Sequence, residues 1–143
     1  MKYIFLLFFI FSLSYSQNII KNGSYVIDKI ESISWQDTNE NVIVRKSYDD
    51  AVKYCEDLRL GDYENWALPT VKQYKTIINK NTKKEVAIHS QFKYAMPVDY
   101  WAIDTRWQSL NRYAYYVLFK SGSIYYNNKS HLKFVRCVRE MKK

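Results

Sequence analysis

Hydrophobic and polar residues alternate in part over residues 24–35. Alternation with a period of two is typical of half-buried β-strands, so we predict one or two early strands there. The side chains predicted to face the core are Tyr25, Ile27, Ile33 and Trp35. Residues 42–44 are hydrophobic and could pair back on these strands across the polar turn at residues 37–41.

The apolar spacing then changes from two to the period of a helix. Ser47 can cap this helix, and Asp50 lies three residues later, at the position of a capping box. Gly61 is a stop signal after it. The predicted apolar stripe is Ala51, Tyr54, Cys55 and Leu58. Because Cys55 lies on that stripe, we expect it to face the core.

A second helix is predicted to begin after Thr70, with Gln73 at its capping position, and to end near Asn79. Its apolar stripe is Val71, Tyr74, Ile77 and Ile78. Residues 79–99 show no clean period and are predicted to be irregular.

The last part of the chain is rich in aromatic and β-branched residues, which favour strands. Predicted strands cover residues 100–103, 113–119, 124–126 and 134–139, with a hairpin turn at 120–123. Strands, two helices and a further run of antiparallel strands indicate an α+β fold.

The N-terminus has the pattern of a cleaved signal peptide. Lys2 precedes an eleven-residue hydrophobic stretch, residues 3–13, and Ser14 and Ser16 are the small residues expected before a cleavage site at Gln17. A retained membrane anchor is the alternative, but a helix needs about 20 apolar residues to cross a bilayer. No cysteine follows the stretch to accept a lipid. We therefore expect an exported protein, in the periplasm or outside the cell, with no membrane span after cleavage.

Residues 17–143 are enough for a single domain. They contain two cysteines, Cys55 and Cys137, and an even number of cysteines in an oxidising compartment usually pairs. Two buried free thiols remain the alternative.

Charge is unevenly distributed along the chain. Residues 17–64 carry six basic and ten acidic side chains, a net charge of −4, whereas residues 65–143 carry fifteen and four, a net charge of +11. A basic field favours acidic polysaccharides, lipid head groups or nucleic acid as partners. Export argues against nucleic acid, and plain solubility through scattered lysines is the alternative explanation.

The order of motifs resembles the Lcl C-terminal domain family, over most of residues 48–139. The first block is Ala51, Tyr54, Cys55, Leu58, Leu60, Gly61, Tyr63, Trp66, Leu68, Pro69 and Thr70. Tyr100-Trp101, residues 115–122 and Val135-Arg136-Cys137-Val138-Arg139 follow it. Members of that family are exported bacterial domains of largely unassigned function, similar in fold to C-type lectins and formylglycine-generating enzymes.

The resemblance implies a C-type-lectin-like α+β domain with two helices packed on antiparallel sheet. It also implies that Cys55 on the first helix bonds to Cys137 on the last strand, and that residues 94–112 form a variable, ligand-binding surface. Two departures, Trp66-Ala67 and Ala102-Ile103-Asp104, put in doubt any ligand contact that the family makes at those positions.

Catalytic chemistry has little support in this sequence. Lectin-like domains that bind sugar through calcium use a cage of carboxylate and amide oxygens carried by Glu-Pro-Asn or Gln-Pro-Asp. Neither motif is present in this sequence. Cysteines held in a bridge cannot act as nucleophiles. His89 and His131 are too few for a histidine-rich zinc site, and no Gly-x-Ser-x-Gly motif occurs. We therefore predict no metal, no cofactor and no catalytic residues; a hydrolase using His89 or His131 is the least favoured hypothesis.

Aromatic and charged residues cluster around the predicted variable loop. An exposed indole can stack on a sugar ring, and arginine can bind a carboxylate or sulfate through two hydrogen bonds. The candidate ligand-binding residues are Trp101, Asp104, Arg106, Trp107, Arg112 and Tyr113. The first hypothesis is a binding module for an acidic polysaccharide or a surface or periplasmic protein. The second is a structural subunit that docks a permanent protein partner through the same loop.

Overall fold

A computed structural model describes residues 18–142, so the predicted signal peptide, residues 1–16, and its cleavage site lie outside the described residues. Within residues 18–142 there are two α-helices, α1 (Tyr48–Asp57) and α2 (Val71–Ile77), and short 3-10 helices at Asn39–Val42 and Trp107–Ser109. The strands are β1 (Ile19–Asn22), β2 (Tyr25–Asp28), β3 (Ile33–Gln36), β4 (Arg45–Lys46), β5 (Asp99–Arg106), β6 (Tyr113–Leu118), β7 (Ser123–Asn128), β8 (Lys133–Phe134) and β9 (Val138–Glu140). In the described part of the chain, no helix is both long enough and apolar enough to span a bilayer.

The first sheet joins the two ends of the described chain. Its strand order is β1-β2-β3-β9, and every pairing is antiparallel. The early strands predicted from the alternation are therefore present. The buried residues of β2 are Val26, opposite Trp35, and Asp28, opposite Ile33, whereas Tyr25 and Ile27, which were predicted to face the core, are half-buried. The reason is that Val26 and Trp35 share the face that packs on α2 and the second sheet.

The second sheet has the order β4-β8-β5-β6-β7. β5, β6 and β7 form an antiparallel meander, while β5 and β8 meet in parallel through one residue pair. Residues 42–44 do not pair back on the early strands as predicted; the chain forms a 3-10 turn, and β4 pairs with β8 instead. Asn41 explains this route, because its buried side-chain amide donates to the Val135 carbonyl oxygen at 3.0 Å.

Both helices begin where the capping residues predict. The N–H of Asp50 donates to Ser47 Oγ at the start of α1, and Thr70 and Gln73 form a complete capping box on α2. Each helix ends one residue before the last member of its apolar stripe, because Leu58 and Ile78 are already extended.

The C-terminal segment crosses from one sheet to the other. The single strand predicted over residues 134–139 is two strands, β8 in the second sheet and β9 in the first. Between them Cys137 bonds to Cys55 of α1, with a Cα–Cα distance of 5.5 Å. The α+β architecture and the long-range disulfide are thus confirmed, although the second sheet is mixed. The likeness to C-type lectins stays a prediction.

Two hydrophobic cores lie on opposite faces of the second sheet. One is enclosed by α2 and the first sheet and is built on Trp35, Tyr74, Tyr100, Val117 and Phe119. The other is covered by α1 and is built on Tyr48, Ala51, Trp66, Trp101 and the disulfide. Successive side chains of β5 and β6 point to opposite faces of the sheet, so each strand contributes residues to both cores.

A buried ion pair closes the gap between the two sheets. Arg136 and Asp37 are fully buried, and the Arg136 guanidinium also donates to the Gln36 and Tyr94 carbonyl oxygens. The Asp37 carboxylate accepts from the Lys21 ammonium and from the backbone N–H groups of Lys93 and Tyr94, the last two at 2.9 Å. Such a pair stabilises a fold only when nearly all its hydrogen-bonding groups are satisfied. The Asp37 carboxylate meets this condition, and among the described residues only the Nε of Arg136 in this pair is without a hydrogen-bond partner.

The disulfide should contribute much of the stability of the domain. Its cysteines are 82 residues apart, and the loop-entropy model gives a loop of that length about 4–5 kcal/mol. We expect the double variant Cys55→Ala/Cys137→Ala to lose about that free energy of unfolding in urea titrations followed by circular dichroism. Reductant should lower the midpoint of the parent protein and leave the double variant unchanged. An unchanged parent midpoint would contradict the prediction.

Asp37 should make the domain sensitive to acid. Burial by itself raises the pKa of Asp37, but hydrogen bonds from Lys21 and two backbone N–H groups, with the charge of Arg136, outweigh burial and leave that pKa below 3.8. A carboxyl group whose pKa is lowered by folding stabilises the fold above its unfolded pKa, and this stabilisation is lost as the pH falls through the folded pKa. Unfolding free energy should therefore fall as the pH drops below about 4.

The variant Asp37→Asn should lose about 3–5 kcal/mol at neutral pH, because Arg136 is left as an unpaired buried charge, and its stability should depend less on pH below 4. Asp57→Asn is the matched control, since Asp57 pairs with Lys53 on the exposed side of α1, where solvent screens the pair and its contribution to stability is small. Equal losses in the two variants, measured by urea titration at several pH values, would refute the role given to Asp37.

Candidate functional site

Residues 94–112, predicted to form the variable ligand-binding surface, include strand β5, and the loop that follows it is the connection between β5 and β6. A 3-10 helix, Trp107–Ser109, leads into Leu110 and Asn111, which both have left-handed backbone conformations, with φ of 53° and 57°. The Ser109 hydroxyl donates to the Arg106 carbonyl oxygen at 2.7 Å and accepts the N–H of Tyr113 at 3.2 Å. Ser109 therefore ties the two strand ends together, and the loop has a defined shape.

Two large apolar side chains lie at the tip of this loop. Trp107 is 75% exposed and Leu110 is 83% exposed. Leucine rarely adopts a left-handed conformation, which costs about 1 kcal/mol or more. Two exposed, large apolar side chains three residues apart make the tip of this loop a candidate contact surface.

Behind the tip, an arginine stacks on a tyrosine. The Arg106 guanidinium lies 4.0 Å from the centre of the Tyr126 ring, a cation–π distance. Tyr113 and Tyr115 meet the same ring edge to face, at 6.2 and 6.0 Å. Tyr126 is thus the centre of this group, and it was absent from the candidates predicted from sequence.

We call this surface the Arg106 patch. Its members are Arg106, Trp107, Leu110, Arg112, Tyr113 and Tyr126. Four of the six predicted candidates belong to it: Arg106, Trp107, Arg112 and Tyr113. Tyr126 could have been predicted from the register of the β6–β7 hairpin. With a turn at residues 119–122, residue 126 lies directly opposite residue 115.

Trp101, the fifth candidate, lies in the core. It is fully buried, its indole N–H donates to the Lys46 carbonyl oxygen at 3.0 Å, and the Tyr48 and Tyr116 rings pack against it edge to face. The indole is therefore not an exposed platform for a ligand. It supports the site from the opposite face of the sheet.

Asp104, the sixth candidate, holds a helix in place. Its carboxylate accepts the N–H of Val71, the first residue of α2, at 2.7 Å. That N–H is one of the groups that a helix leaves unpaired at its N-terminus. Asp104 thus connects α2 to the strand that carries Arg106. It supports the Arg106 patch indirectly, by fixing the position of that strand.

The electrostatics of the patch are positive. In the part of the chain that the structure describes, neither Arg106 nor Arg112 forms an ion pair with a carboxylate. Arg112 is exposed, and its Nε donates only to the Ser109 carbonyl oxygen, at 3.3 Å. The backbone N–H of the neighbouring Lys129 donates to the Arg112 carbonyl oxygen, and the Lys129 ammonium lies 4.4 Å from the centre of the Tyr48 ring. Both guanidinium groups can therefore bind an external anion without breaking an ion pair within the protein.

Neither histidine is a member of the Arg106 patch. His89 Nδ1 accepts the N–H of Gln91 at 3.3 Å, and His131 is exposed in the turn before β8. Among residues 18–142, no three His, Cys, Asp or Glu side chains group closely enough to hold a metal ion. Both cysteines of the chain are in the disulfide. The chemistry that the Arg106 patch offers is stacking and ionic hydrogen bonding.

Surface clefts lie in other places. One of about 600 Å³ runs along α1 and includes Lys46, Tyr54 and Arg59, and one of about 560 Å³ lies beside the start of α2 and includes Glu31 and Glu140. The Arg106 patch contributes no residue to either cleft.

Comparison with known protein families agrees with the resemblance seen in the motifs. The family model for the Lcl C-terminal domain matches residues 24–139, which include the whole second sheet, both helices and the Arg106 patch. No curated protein matches the chain. The match covers most of the chain, and the protein therefore belongs to the Lcl C-terminal domain family.

Proposed function

We propose that this protein is an exported, non-catalytic binding module whose Arg106 patch recognises an acidic glycan. The observation that carries the proposal is the Arg106 guanidinium stacked 4.0 Å from the Tyr126 ring, beside an indole that is 75% exposed. A sugar ring presents an apolar face for stacking and, in acidic glycans, a carboxylate or sulfate for arginine. The patch offers both kinds of contact within one hairpin.

Stacking also makes Arg106 a better anion receptor. Because the guanidinium is held over the Tyr126 ring, 4.0 Å from its centre, less rotamer entropy is lost when it binds a carboxylate or sulfate through two hydrogen bonds. Arg112 adds a second cation on the far side of the loop. The net charge of +11 on residues 65–143 supports the same class of ligand, since a basic field attracts polyanions from a distance.

Export is part of this proposal. The disulfide supports it, because such bonds persist in oxidising compartments, as does the predicted signal peptide. Either periplasm or extracellular space would bring the patch into contact with surface polysaccharides.

A second function, docking a permanent protein subunit, is favoured by Leu110. This side chain is 83% exposed in a left-handed conformation next to Trp107. An apolar tip of this kind fits a pocket on another protein, and apolar contacts are nearly independent of ionic strength.

Binding to arrayed polysaccharides, acidic and neutral, at low and high salt tests the first function. We expect acidic glycans to bind at low salt and to be released at high salt, because the contacts are ionic. Trp107→Ala and Arg112→Gln should each weaken binding by about tenfold, the cost of losing one anchoring contact. Arg59→Gln is the matched control, since Arg59 is exposed but pairs with Glu64 away from the patch. No binding to any acidic glycan at low salt would refute the proposal.

Leu110→Asn separates the two functions. Asparagine tolerates the left-handed conformation, so the loop keeps its shape while the apolar tip is lost. If the patch binds acidic glycans, affinity on the same array should change by less than about twofold, because Leu110 offers no ionic contact. A tenfold loss would instead favour the apolar docking function.

A further inference from the structure

β7 forms an outer edge of the second sheet. Its sequence, Ser123–Asn128, contains no charged residue and no proline, and its pairing with β6 is continuous, without a bulge. Natural proteins usually protect such an edge with lysine, proline or a bulge, because its free backbone groups can pair with another strand. β7 has none of these protections.

The hydrogen-bond pattern shows which backbone groups of β7 are free. Lys129 donates its N–H to the Arg112 carbonyl oxygen, and Tyr113 is paired with Asn128. Because inward and outward backbone groups alternate along an antiparallel strand, residues 123, 125 and 127 bond to β6, and residues 124, 126 and 128 point outward.

One of the three outward residues is already satisfied. The N–H of Asn128 donates to the Asn127 side chain at 2.7 Å, and its carbonyl oxygen accepts from His131 at 3.1 Å. Among the described residues, no hydrogen bond reaches the outward N–H or carbonyl oxygen of Ile124 or Tyr126. The open edge is therefore short and is centred on Tyr125.

The free backbone groups of one β7 edge match those of the β7 edge of a second copy. When two β7 strands meet antiparallel around a two-fold axis through Tyr125, Ile124 of each copy lies opposite Tyr126 of the other. Ile124 and Tyr126 then exchange both of their backbone hydrogen bonds with the other copy, and nothing is left unpaired. Tyr125 meets its own counterpart in a non-hydrogen-bonded pair, where side chains are closest.

We infer that the protein forms a symmetric dimer by pairing of its β7 edges, with Tyr125 at the two-fold axis. Tyr125 is 48% exposed, and its ring packs on Tyr116, so the contact continues a ladder of aromatic residues already present in the sheet. None of the residues that pair, 123–128, carries a charge, so no lysine opposes a lysine within the paired strands. Two-fold pairing of one surface with itself is the commonest form of oligomer.

The dimer does not depend on glycan binding. A two-fold axis perpendicular to the sheet leaves both Arg106 patches on the same side of the joined sheet. Failure of glycan binding would leave the dimer unaffected, and the reverse also holds.

Sedimentation velocity over a wide dilution series tests the inference. The parent protein should sediment with twice the mass of the monomer. Tyr125→Lys should halve that mass, because two ammonium groups would meet at the axis, whereas the neutral strand former Tyr125→Thr should keep the dimer. Leu132→Lys adds the same charge at another exposed apolar position and should also keep the dimer. Mixing Tyr125→Lys with Tyr125→Glu should restore a dimer at low salt.

Cysteine cross-linking tests the register independently of charge. Opposed residues of a non-hydrogen-bonded pair have Cα atoms about 4.5 Å apart, within the range of a disulfide. Tyr125→Cys should therefore form a covalent dimer on oxidation, whereas Ser123→Cys, whose copies are four residues out of register with each other, should not. A monomeric parent protein at every dilution, or equal cross-linking of the two variants, would overturn the inference.

Discussion

The bond between Cys55 and Cys137 is the constraint on which the remaining architecture depends. It joins the core face of α1 to the segment that crosses from one sheet to the other. Around it, Gln36 donates its N–H to the Cys137 carbonyl oxygen, and the Gln36 side chain accepts the N–H of Cys137. Ala67 and Val138 exchange two backbone hydrogen bonds beside them. Two sheets and a helix are thereby held at one point.

That frame positions the surface on which function is proposed. The hairpin carrying Arg106 emerges from the central strands of the second sheet, which are packed on both faces. Asp104 fixes the strand to α2, and Trp101 fixes it to the layer covered by α1. Because the base of the hairpin is anchored on both sides, its tip can keep a left-handed leucine and an exposed indole without rearranging.

The proposed ligand surface and the β7 edge share one residue, Tyr126. Its ring supports Arg106 on the face of the sheet, while its backbone groups lie along the edge. Face and edge are perpendicular, so the two uses do not compete for the same atoms. A dimer would also double the number of patches available to a polymeric ligand, which raises avidity without new contacts.

Local sequence determined much of the fold. The starts of α1 and α2 follow from Ser47 and Thr70, and a hairpin between β6 and β7 follows from the turn predicted at residues 120–123, because caps and turns depend on nearby residues. The turn itself lies one residue earlier, at 119–122. Four members of the Arg106 patch were also predicted, since they adjoin one loop.

Only the tertiary structure decided the roles of residues distant in sequence. The burial of Trp101, the capping of α2 by Asp104 and the placement of Tyr126 under Arg106 depend on which strands become neighbours. So does the division of residues 134–139 between two sheets, because local pattern marks a strand but does not specify its partner.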